Sequence, residues 1–519
     1  MRLLNSTSKT KSTSNQRNRT PSFVCEIPLR VTRRQEKKLE ARFEAARQLY
    51  NALLGEAKRR LALFRQSIWY KKAKQTKDEA ERRAHFDAAR SAHGFSASAL
   101  EATADEMRRN TWLGEHIDSH VEQKLAARAF AAVDKVAKGK ARDVRFKGRR
   151  GLHSLEGKTN AACIRWRDDR VLWNGLELPM VKAAKKDPVI QHGLSSRVKY
   201  VRLVRREERM RTRYYAQLIC EGLPYRKPEH TVGAETVGLD IGPSTIAVVG
   251  ETQASLEEFC EPVARDHKRI RRLQRKLDRQ RRANNPDCYD EQGRAIKGKR
   301  PNRKSRRQQE TQAELADLFR REAAHRKTLH GQMANRIIAI GTDIHTEKLS
   351  YRGFQKLYGK SISVRAPRTF LSILTRKAES AGGSVDEFST RTTALSQVCL
   401  CGQKHKKRLS ERVHSCDCGV RMQRDLFSAY LARHVKDNLL QVTEANESWS
   451  GAEPLLRAAW EQATTNQPAS GRRKPTSFGV FGRPSQSGSS EQEGLPMHEA
   501  SDVVARAKAS ARADESAAV

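Results

Sequence analysis

The sequence predicts an α/β protein built from several domains. Its 519 residues are enough for two to four domains of ordinary size. Apolar residues alternate near residues 22–32 and again over about 161–222, which predicts strands, whereas helical spacing fills much of the interval between them. Beyond about residue 233, strand-like apolar runs alternate with long helical patterns, which predicts a second α/β region.

The N-terminal strands are predicted to form one sheet system that helices interrupt. A strand is predicted over Phe23–Val31, where Pro28 favours an edge position. Thr32 then begins a helix, with Gln35 in the position of a capping-box partner. The helical patterns that follow are rich in Ala, Arg and Glu, and they fit either a plain helical bundle or a lobe that faces nucleic acid. Period-two segments come next, with a hairpin signal at Asp168–Asp169, so these strands and the first one would form one barrel split by the helical lobe.

The charge of the chain indicates a polyanionic partner. Lys and Arg total 101 against 60 Asp and Glu, which gives a formal net charge of +41 and an isoelectric point near 10.3. The surplus is localised, because residues 441–519 carry eight basic and ten acidic residues and residues 1–440 therefore carry +43. An excess of this size favours nucleic acid as the partner.

The two ends of the chain differ in composition from the rest. Residues 1–21 contain no apolar segment of a secretory signal and are predicted to be a disordered basic tail, although an acid-free composition also fits an organellar transit peptide. Residues 441–519, rich in Ser, Gly and Ala, are predicted to be largely disordered apart from a short helix at about 452–463. No apolar run is long enough for a membrane span, and the nine cysteines lack a disulfide-scaffold pattern, which predicts a reducing, cytoplasmic compartment.

Three acidic residues are distinguished by the elements that carry them. Asp240 lies within an apolar strand pattern, Glu347 ends a second one, and Asp425 opens a helical pattern. Burying Asp240 between Leu239 and Ile241 is costly unless it meets a hydrogen-bond partner or a cation. An RNase H-type sheet assembles its site in this order, with one acid on a strand, one on a later parallel strand and one on a helix packed over the sheet. We therefore interpret the three acids as ligands of two Mg²⁺ ions, which clamp the attacking and leaving oxygens of a phosphodiester.

Four cysteines form two pairs with metal-like spacing between the second and third acids. Each pair is followed by a glycine, Gly402 or Gly419, which suits the tight turn of a zinc knuckle. Both pairs are Cys-x-Cys, one residue shorter than the usual Cys-x-x-Cys, so His405 or His414 could replace a ligand, and a hairpin without metal is the alternative. The predicted ligands of a structural zinc ion are Cys399, Cys401, Cys416 and Cys418.

A strongly basic helix is predicted downstream of the first acid. Nine basic residues and a single acid, Asp278, lie between Lys268 and Arg282. These charges would repel one another on a merely solvated face, so contact with a nucleic-acid backbone is favoured. A second helix over about 308–340 completes an antiparallel helical hairpin inserted between two strands, and a basic stretch at 141–160 fits a phosphate-gripping loop and a solvated linker equally well. The predicted nucleic-acid contacts are Arg269, Arg272, Arg275, Lys276, Arg279, Arg145, Lys147 and Arg149.

Several short motifs share their order and residue types with one family of nucleases. They are Tyr50–Leu54, Gly238–Gly242, Glu347–Leu349, Leu395–Cys399, Leu409–Cys416 and Arg424-Asp425. On these motifs, and over roughly residues 22–440, the chain resembles the transposon-encoded TnpB nucleases and the compact type V CRISPR effectors related to them. By this resemblance Asp240, Glu347 and Asp425 are the catalytic acids of a RuvC-like site, and none of them is substituted.

The resemblance also implies a domain order. A wedge β-barrel is split by a helical recognition lobe and is followed by an RNase H-like (RuvC) domain with a zinc-ribbon-like insertion that loads the target strand. The implied segments are a basic tail (1–21), the first wedge strand (22–32), the recognition lobe (33–140), the wedge barrel (141–232), the RuvC-like domain with its basic helical hairpin (233–397), the zinc-binding insertion (398–420), the final RuvC helix (421–440) and a largely disordered tail (441–519).

The function implied by the resemblance is RNA-guided DNA cleavage in a prokaryotic cytoplasm. Guide RNA would supply sequence specificity by pairing with double-stranded target DNA, and the protein would recognise a short flanking DNA motif and cut in one RuvC-like site. The alternative is an RNA-guided DNA-binding protein that represses without efficient cleavage. A guide-independent, structure-selective nuclease is a third class, and the long N-terminal region argues against it.

Overall fold

The computed structural model describes residues 20–208, 211–260, 266–299, 301–408, 410–465 and 478. Most of the two predicted tails, at 1–21 and 441–519, therefore lies outside the described residues. Among the described helices, none is both long and apolar enough to cross a membrane.

The described N-terminal part contains seven strands and six α-helices. They are β1 (Ser22–Pro28), α1 (Arg33–Gln66), α2 (Ile68–Gln75), α3 (Glu79–Ala92), α4 (Ala97–Arg109), α5 (Ser119–Ala137), β2 (Ser154–Glu156), β3 (Arg165–Arg167), β4 (Arg170–Trp173), β5 (Leu176–Pro179), α6 (Pro188–Ser195), β6 (Val198–Glu208) and β7 (Arg211–Glu221).

The first strand belongs to a sheet whose other strands come much later in the chain. β1 pairs antiparallel with β7, and the sheet runs in the order β1–β7–β6–β2. Helices α1–α5 are therefore inserted between an edge strand and the rest of its sheet, and Pro28 lies on the edge strand as predicted. Strands β3–β5 form a second antiparallel sheet, which a bridge between Leu29 and Met180 connects to the end of β1.

Two local sequence signals of this region are confirmed. The Thr32 side chain and the Gln35 side chain form the predicted capping box at the start of α1. Asp168 and Asp169 connect β3 to β4 with φ angles of 47° and 59°. Positive φ at both central residues is the signature of a type I′ hairpin turn, whose twist matches that of the strands.

One continuous hydrophobic core joins these helices to both sheets. Cys25 and Ile27 of β1 and Leu53 of α1 are buried in it. Arg42 of α1 reaches the second sheet, where its Nη1 donates a hydrogen bond of 2.8 Å to the Trp173 carbonyl and its guanidinium lies 4.5 Å from the indole ring. The helical lobe is therefore packed onto the strands that it interrupts.

The described C-terminal part contains nine strands and eight α-helices. They are β8 (Thr236–Ile241), β9 (Thr245–Val249), β10 (Ala254–Glu258), α7 (His267–Asn284), α8 (Arg306–Ile340), β11 (Asp343–Glu347), α9 (Tyr351–Arg365), α10 (Pro367–Ser380), β12 (Ser384–Phe388), α11 (Thr390–Thr393), β13 (Val413–Ser415), β14 (Arg421–Gln423), α12 (Arg424–Arg433), β15 (Val435–Lys436), β16 (Leu439–Leu440), α13 (Val442–Glu447) and α14 (Trp449–Thr465).

A five-stranded sheet organises this part of the chain. Its order is β10–β9–β8–β11–β12, with antiparallel pairing among the first three strands and parallel pairing among β8, β11 and β12. Helices α8 and α10 cover one face, and α12 and α14 cover the other. Burial on both faces accounts for the unbroken apolar run of β9. The prediction that the strand ending in Glu347 lies parallel to the strand carrying Asp240 is confirmed.

The predicted helical hairpin is formed by α7 and α8. The end of α7 lies beside the start of α8, where Asn284 Nδ2 donates a hydrogen bond of 2.7 Å to Gln308 Oε1. Asn285 closes the turn, because its Oδ1 accepts hydrogen bonds from the backbone amides of Asn302 and Arg303. The hairpin is an insertion between β10 and β11 in sequence, and the last turns of α8 pack against the sheet.

The helix predicted at about 452–463 is present as α14, and α13 precedes it, so the described residues 442–465 of the predicted tail are folded. Helix α14 buries Leu456 and Trp460 against α12 and the sheet, and Trp460 Nε1 donates a hydrogen bond of 3.0 Å to the carbonyl of Phe478. The buried apolar residues of this helix have helical spacing, from Ala452 through Leu456 to Trp460. The final core is therefore completed by a segment that composition alone assigns to a tail.

Replacement of Leu456 by Ala is expected to destabilise the C-terminal part by about 2–5 kcal/mol, the usual cost of a cavity in a packed core. The matched control is Leu439→Ala, because Leu439 is 60% exposed and an exposed substitution typically changes stability by less than about 0.5 kcal/mol. Differential scanning calorimetry of both variants measures the difference. Equal transition temperatures for the two variants would mean that α14 is not part of this core.

Candidate functional site

The structure brings Asp240 and Glu347 together at the end of two neighbouring strands. Thr346 of β11 lies opposite Leu239 of β8, so the next residue on each strand, Glu347 and Asp240, lies beside the other. Leu239, Ile241 and Ile344 of these strands pack against α8 and α10. Because successive side chains of a strand point to opposite faces, the side chains of Asp240 and Glu347 lie on the α12 face of the sheet. The third acid, Asp425, lies in the first turn of α12.

Asp425 is held at this position by its own helix and by the sheet. The Gln423 side chain caps α12 by accepting a hydrogen bond of 2.7 Å from the backbone amide of Leu426. Asp425 is buried, and its Oδ2 accepts a hydrogen bond of 3.4 Å from Thr245 Oγ1 of β9. A helix N-terminus also favours negative charge. These contacts orient the Asp425 carboxylate toward the strand ends.

The electrostatics of the three acids favour a bound cation. Burial raises the pKa of Asp240 well above its usual value, and the nearby Asp425 and Glu347 carboxylates raise it further, while Arg424 and Arg412 act in the opposite direction. Burial also raises the pKa of Glu347. Like charges held close together in a buried place are unfavourable unless they are protonated or share a counter-ion. A divalent cation would supply that counter-charge.

The ligand oxygens of these acids do not all lie within 4.8 Å of one another, unlike the two tighter groups of metal-ligating side chains found in the described residues. A spread of this kind fits ligands divided between two ions, which lie about 3.5–4 Å apart in two-metal sites. The three acids are thus compatible with the predicted pair of Mg²⁺ ions.

The four predicted cysteines form one of those tighter groups. Sγ of Cys399 lies 3.5 Å from Sγ of Cys418, and Sγ of Cys401 lies 3.6 Å from Sγ of Cys416. Tetrahedral zinc with bonds of about 2.3 Å places its sulfur ligands about 3.8 Å apart. All four ligand atoms lie within 4.8 Å of one another, so the set fits a single zinc ion.

The short Cys-x-Cys spacing works because both loops fold in the same way. Gly402 and Gly419 have φ angles of 81° and 93°, and each donates its amide to the carbonyl of the first cysteine of its pair with an N–O distance of 3.0 Å. A glycine in the left-handed backbone region turns the chain tightly enough for both thiols of a pair to face one centre. The spacing therefore does not prevent four-sulfur ligation.

The structure separates the two histidines that could replace a cysteine ligand. His405 lies at the cluster, with Nε2 3.3 Å from Cys416 Sγ. His414 faces away from it, contacts Lys407, and lies with its ring 4.3 Å from the ring of Phe427 on α12. Burial and then Lys407 lower the pKa of His414 to about 4, so it is a neutral packing residue between the cysteine hairpin and α12.

A third group of possible ligands was missed by the sequence analysis. Asp343, His345 and Asp386 place their ligand atoms within 4.8 Å of one another on the same sheet face, nearer the starts of β11 and β12. His345 Nδ1 lies 3.2 Å from the carbonyl oxygen of Ala432, and its Nε2 lies 3.4 Å from Asp343 Oδ1. Only the strand register joins His345 to Asp386, and a single sequence does not reveal that register.

The basic helix exposes most of its predicted nucleic-acid contacts. Apolar residues Ile270, Leu273 and Leu277 are buried. Arg269 is paired with Glu314 of α8 at 2.7 Å, but Arg272, Arg275, Lys276 and Arg279 have no ion pair with another described residue. An open depression along the helix is lined by Lys268, Arg271, Arg272, Arg275 and Arg279.

The other predicted contacts lie on a loop that α1 holds in place. The backbone amide of Lys147 donates to Asn51 Oδ1 at 2.8 Å, and its carbonyl accepts hydrogen bonds of 2.9 Å from Asn51 Nδ2 and Arg47 Nη1. Arg145 and Arg149 are exposed beside this anchored residue. A fixed loop with outward basic groups favours the phosphate-gripping interpretation over a free linker.

Comparison with known proteins gives one match that covers part of the site. Residues 368–431 match the family model described as Cas12f1-like, TNB domain. The matched segment runs from α10 through β12 and the four cysteines to Asp425, and it does not include Asp240 or Glu347. No curated protein matches the chain.

Two solved structures resemble the chain weakly. A cryo-EM structure of a Cas12f1–sgRNA–target DNA complex has 11% identity and a TM-score of 0.39, covering 79% of this chain and 98% of that one. A CRISPR–Cas12f ternary complex has 12% identity and a TM-score of 0.25, covering 78% and 86%. Similarities at these scores carry no weight for fold or function. Through residues 368–431, however, the predicted resemblance to the compact type V effectors is confirmed, because this segment is similar to the Cas12f1-like domain.

Proposed function

We propose that this protein is an RNA-guided DNA endonuclease that hydrolyses phosphodiester bonds at Asp240, Glu347 and Asp425. The observation that carries the proposal is the placement of these three carboxylates together on the α12 face of the sheet, where Asp425 is buried and Asp240 and Glu347 are half-buried. Burial and then the acidic neighbours raise the pKa of Asp240. Acids brought together at such a cost are typical of functional sites. The match of residues 368–431 to a Cas12f1-like domain supports the same class of protein.

The chain's own residues would prepare this site for a divalent metal. The two strands hold Asp240 and Glu347 rigidly, and the Gln423 cap and Thr245 orient Asp425. When bound, two Mg²⁺ ions would activate water and stabilise the leaving oxygen. Arg424 and Arg412 lie close enough to lower the pKa of Asp240, so they favour its ionised form and would attract the phosphate of the strand to be cut.

The remaining surfaces fit an RNA-guided mechanism. The charge of +43 on residues 1–440 suits a guide RNA and a double-stranded DNA target held by their backbones, with base pairing supplying specificity. We assign the split sheet of β1–β7 to a wedge barrel, α1–α5 to a recognition lobe and the cysteine hairpin to a zinc-binding element that loads the target strand. A protein with free cysteines only fits a reducing, prokaryotic cytoplasm.

The experiment that tests the function starts with RNA that copurifies with the protein. The RNA is sequenced, its guide segment is replaced with a chosen sequence, and the reconstituted complex is incubated with matching plasmids that carry a randomised flank and with Mg²⁺. The expected result is cutting of matched DNA with one preferred flanking motif. Guided binding without cutting would identify the repressor alternative, and cutting that ignores the guide would identify a guide-independent nuclease.

Substitution of Asp240, Glu347 or Asp425 by Ala is expected to reduce guided cutting by at least about a hundredfold, the cost of losing a group that stabilises transition-state charge. DNA binding should remain, because these acids do not form the basic surface. The matched control is Glu387→Ala, an exposed acid on β12 of the same sheet that is paired with Arg368. Near-normal cutting by a triad variant would remove that residue from the site.

The same acids give a stability readout that does not depend on cutting. Asp240→Asn removes a buried charge next to like charges, so in EDTA the variant should unfold at a higher temperature than the wild type. Added Mg²⁺ should stabilise the wild type more than the variant. If Asp240→Asn were destabilising in EDTA, the acids would not be repelling one another.

The cysteine hairpin is expected to hold about one zinc ion per chain, as a site of four thiolates does. Elemental analysis of protein purified without chelator measures the ratio, and a double Cys401→Ser and Cys418→Ser variant should lose the metal. Cys163→Ser is the matched control, because Cys163 lies outside the cluster. A ratio of zinc to protein near zero in the wild type would show that the hairpin folds without metal.

Neutralising Arg272, Lys276 and Arg279 together is expected to weaken nucleic-acid binding similarly for all target sequences. The slope of log affinity against log salt should decrease by roughly one unit for each lost phosphate contact. The control exchanges Arg for Lys and Lys for Arg at the same positions and should keep the slope. An unchanged slope in the neutral variant would make α7 a solvated face, and a loss limited to one target sequence would indicate base contacts.

A further inference from the structure

Helix α12 and strand β8 lie against each other in a matched, antiparallel register. Asp425 in the first turn of α12 lies near the end of β8 that carries Asp240, because its Oδ2 accepts a hydrogen bond of 3.4 Å from Thr245 at the adjoining end of β9. The backbone of Ala429 lies over Gly238. Near the end of the helix, Arg433 Nε donates a hydrogen bond of 3.1 Å to the carbonyl of Thr236 at the start of the strand. Three points along the helix thus meet three points along the strand.

The spacing of these contacts makes the register regular. Each step of four helical residues advances about 6.0 Å, and each step of two strand residues advances about 6.6 Å. From Asp425 to Ala429 on the helix therefore spans nearly the same length as from Asp240 to Gly238 on the strand. The contact at Gly238 fixes where the first turn of α12, and with it the Asp425 carboxylate, lies relative to Asp240.

Gly238 allows this contact because it lacks a side chain. A Cβ atom at this position would lie 3.0 Å from the carbonyl carbon of Ala429 and 3.0 Å from Arg433 Cγ, and still nearer to the carbonyl oxygen of Ala429. Ordinary C–O contacts are about 3.3 Å or longer. The obstacle is backbone, which cannot rotate away, so any side chain at 238 would displace α12 from the sheet. A glycine within a strand is expected where another backbone approaches this closely.

We propose that Gly238 is a positioning residue for the acid site, which sets the distance between Asp425 and the two strand acids by admitting α12 to the sheet. The proposal rests on the function proposed above and adds to it a residue that touches neither metal nor substrate. The other anchors of α12, from Arg433 to Thr236 and from His345 to the Ala432 carbonyl, hold its far end. A displacement at Gly238 would therefore tilt the end that carries Asp425.

The test compares Gly238→Ala with Gly331→Ala. Gly331 lies within α8, where a Cβ would meet no atom within 4 Å, so the control adds the same methyl group without a clash. Two quantities are measured for each protein: the Mn²⁺ affinity of the free protein, by electron paramagnetic resonance, and the Mn²⁺ concentration that gives half-maximal guided cutting. For Gly238→Ala we expect both to weaken by at least about tenfold and the cutting rate at saturating metal to fall by up to about a hundredfold, the effect of roughly 1 Å of misplacement. Gly331→Ala should match the wild type.

The outcomes separate this proposal from the proposed function. Unchanged Mn²⁺ affinity and metal requirement in Gly238→Ala would overturn the positioning role even if the variant were less stable, because a displaced Asp425 carboxylate must weaken metal binding. A wild type that binds Mn²⁺ at the acids but never cuts would refute the nuclease proposal, while the Mn²⁺ affinity of the variant would still test Gly238.

A second variant tests the proposal if Gly238→Ala does not fold. Arg433→Met keeps the apolar stem over Gly238 but removes the hydrogen bond to Thr236, which loosens the same register without a clash. A metal requirement raised severalfold would support the proposal, and an unchanged requirement would overturn it.

Discussion

The mutual repulsion of Asp240, Glu347 and Asp425 is the interaction that the C-terminal sheet and α12 have to balance. Burial and like charge raise the pKa of Asp240 well above its usual value, so the fold holds these acids together at a cost in stability. Hydrophobic packing on both faces of the sheet offsets that cost. A site whose carboxylates repel one another is most stable with a cation bound. Metal binding is therefore linked to the folding of the C-terminal part.

The cysteine hairpin is connected to this site through a very short path. Strand β14 leads directly into α12, and Gln423 at their junction caps the helix that carries Asp425. The Arg424 backbone amide donates to the Arg412 carbonyl on the opposite side of the hairpin, and His414 packs on Phe427 of α12. A metal ion that orders the hairpin would therefore also order the first turn of α12, in addition to any contact that the hairpin makes with a target strand.

Short local motifs, and the order in which they occur along the chain, were sufficient to predict much of the fold. The capping box at Thr32, the hairpin turn at Asp168–Asp169 and the parallel placement of Glu347 beside Asp240 all follow from short patterns. The short helix predicted at about 452–463 corresponds to α14, but its packing into the core was not predicted. The Asp343–His345–Asp386 group was missed because it depends on strand register. The close approach at Gly238 was missed for a related reason, because a glycine in a strand pattern does not indicate which backbone segment will pack over it.

Anomalous scattering from crystals of the wild-type protein soaked in Mn²⁺ would locate the metal directly. We expect anomalous density between Asp240, Glu347 and Asp425 at the ends of β8 and β11, and loss of that density in Asp240→Asn crystals. Density at Asp343, His345 and Asp386 alone, or no density at Asp240, Glu347 and Asp425 at saturating Mn²⁺, would contradict the assignment of these three acids as the metal site.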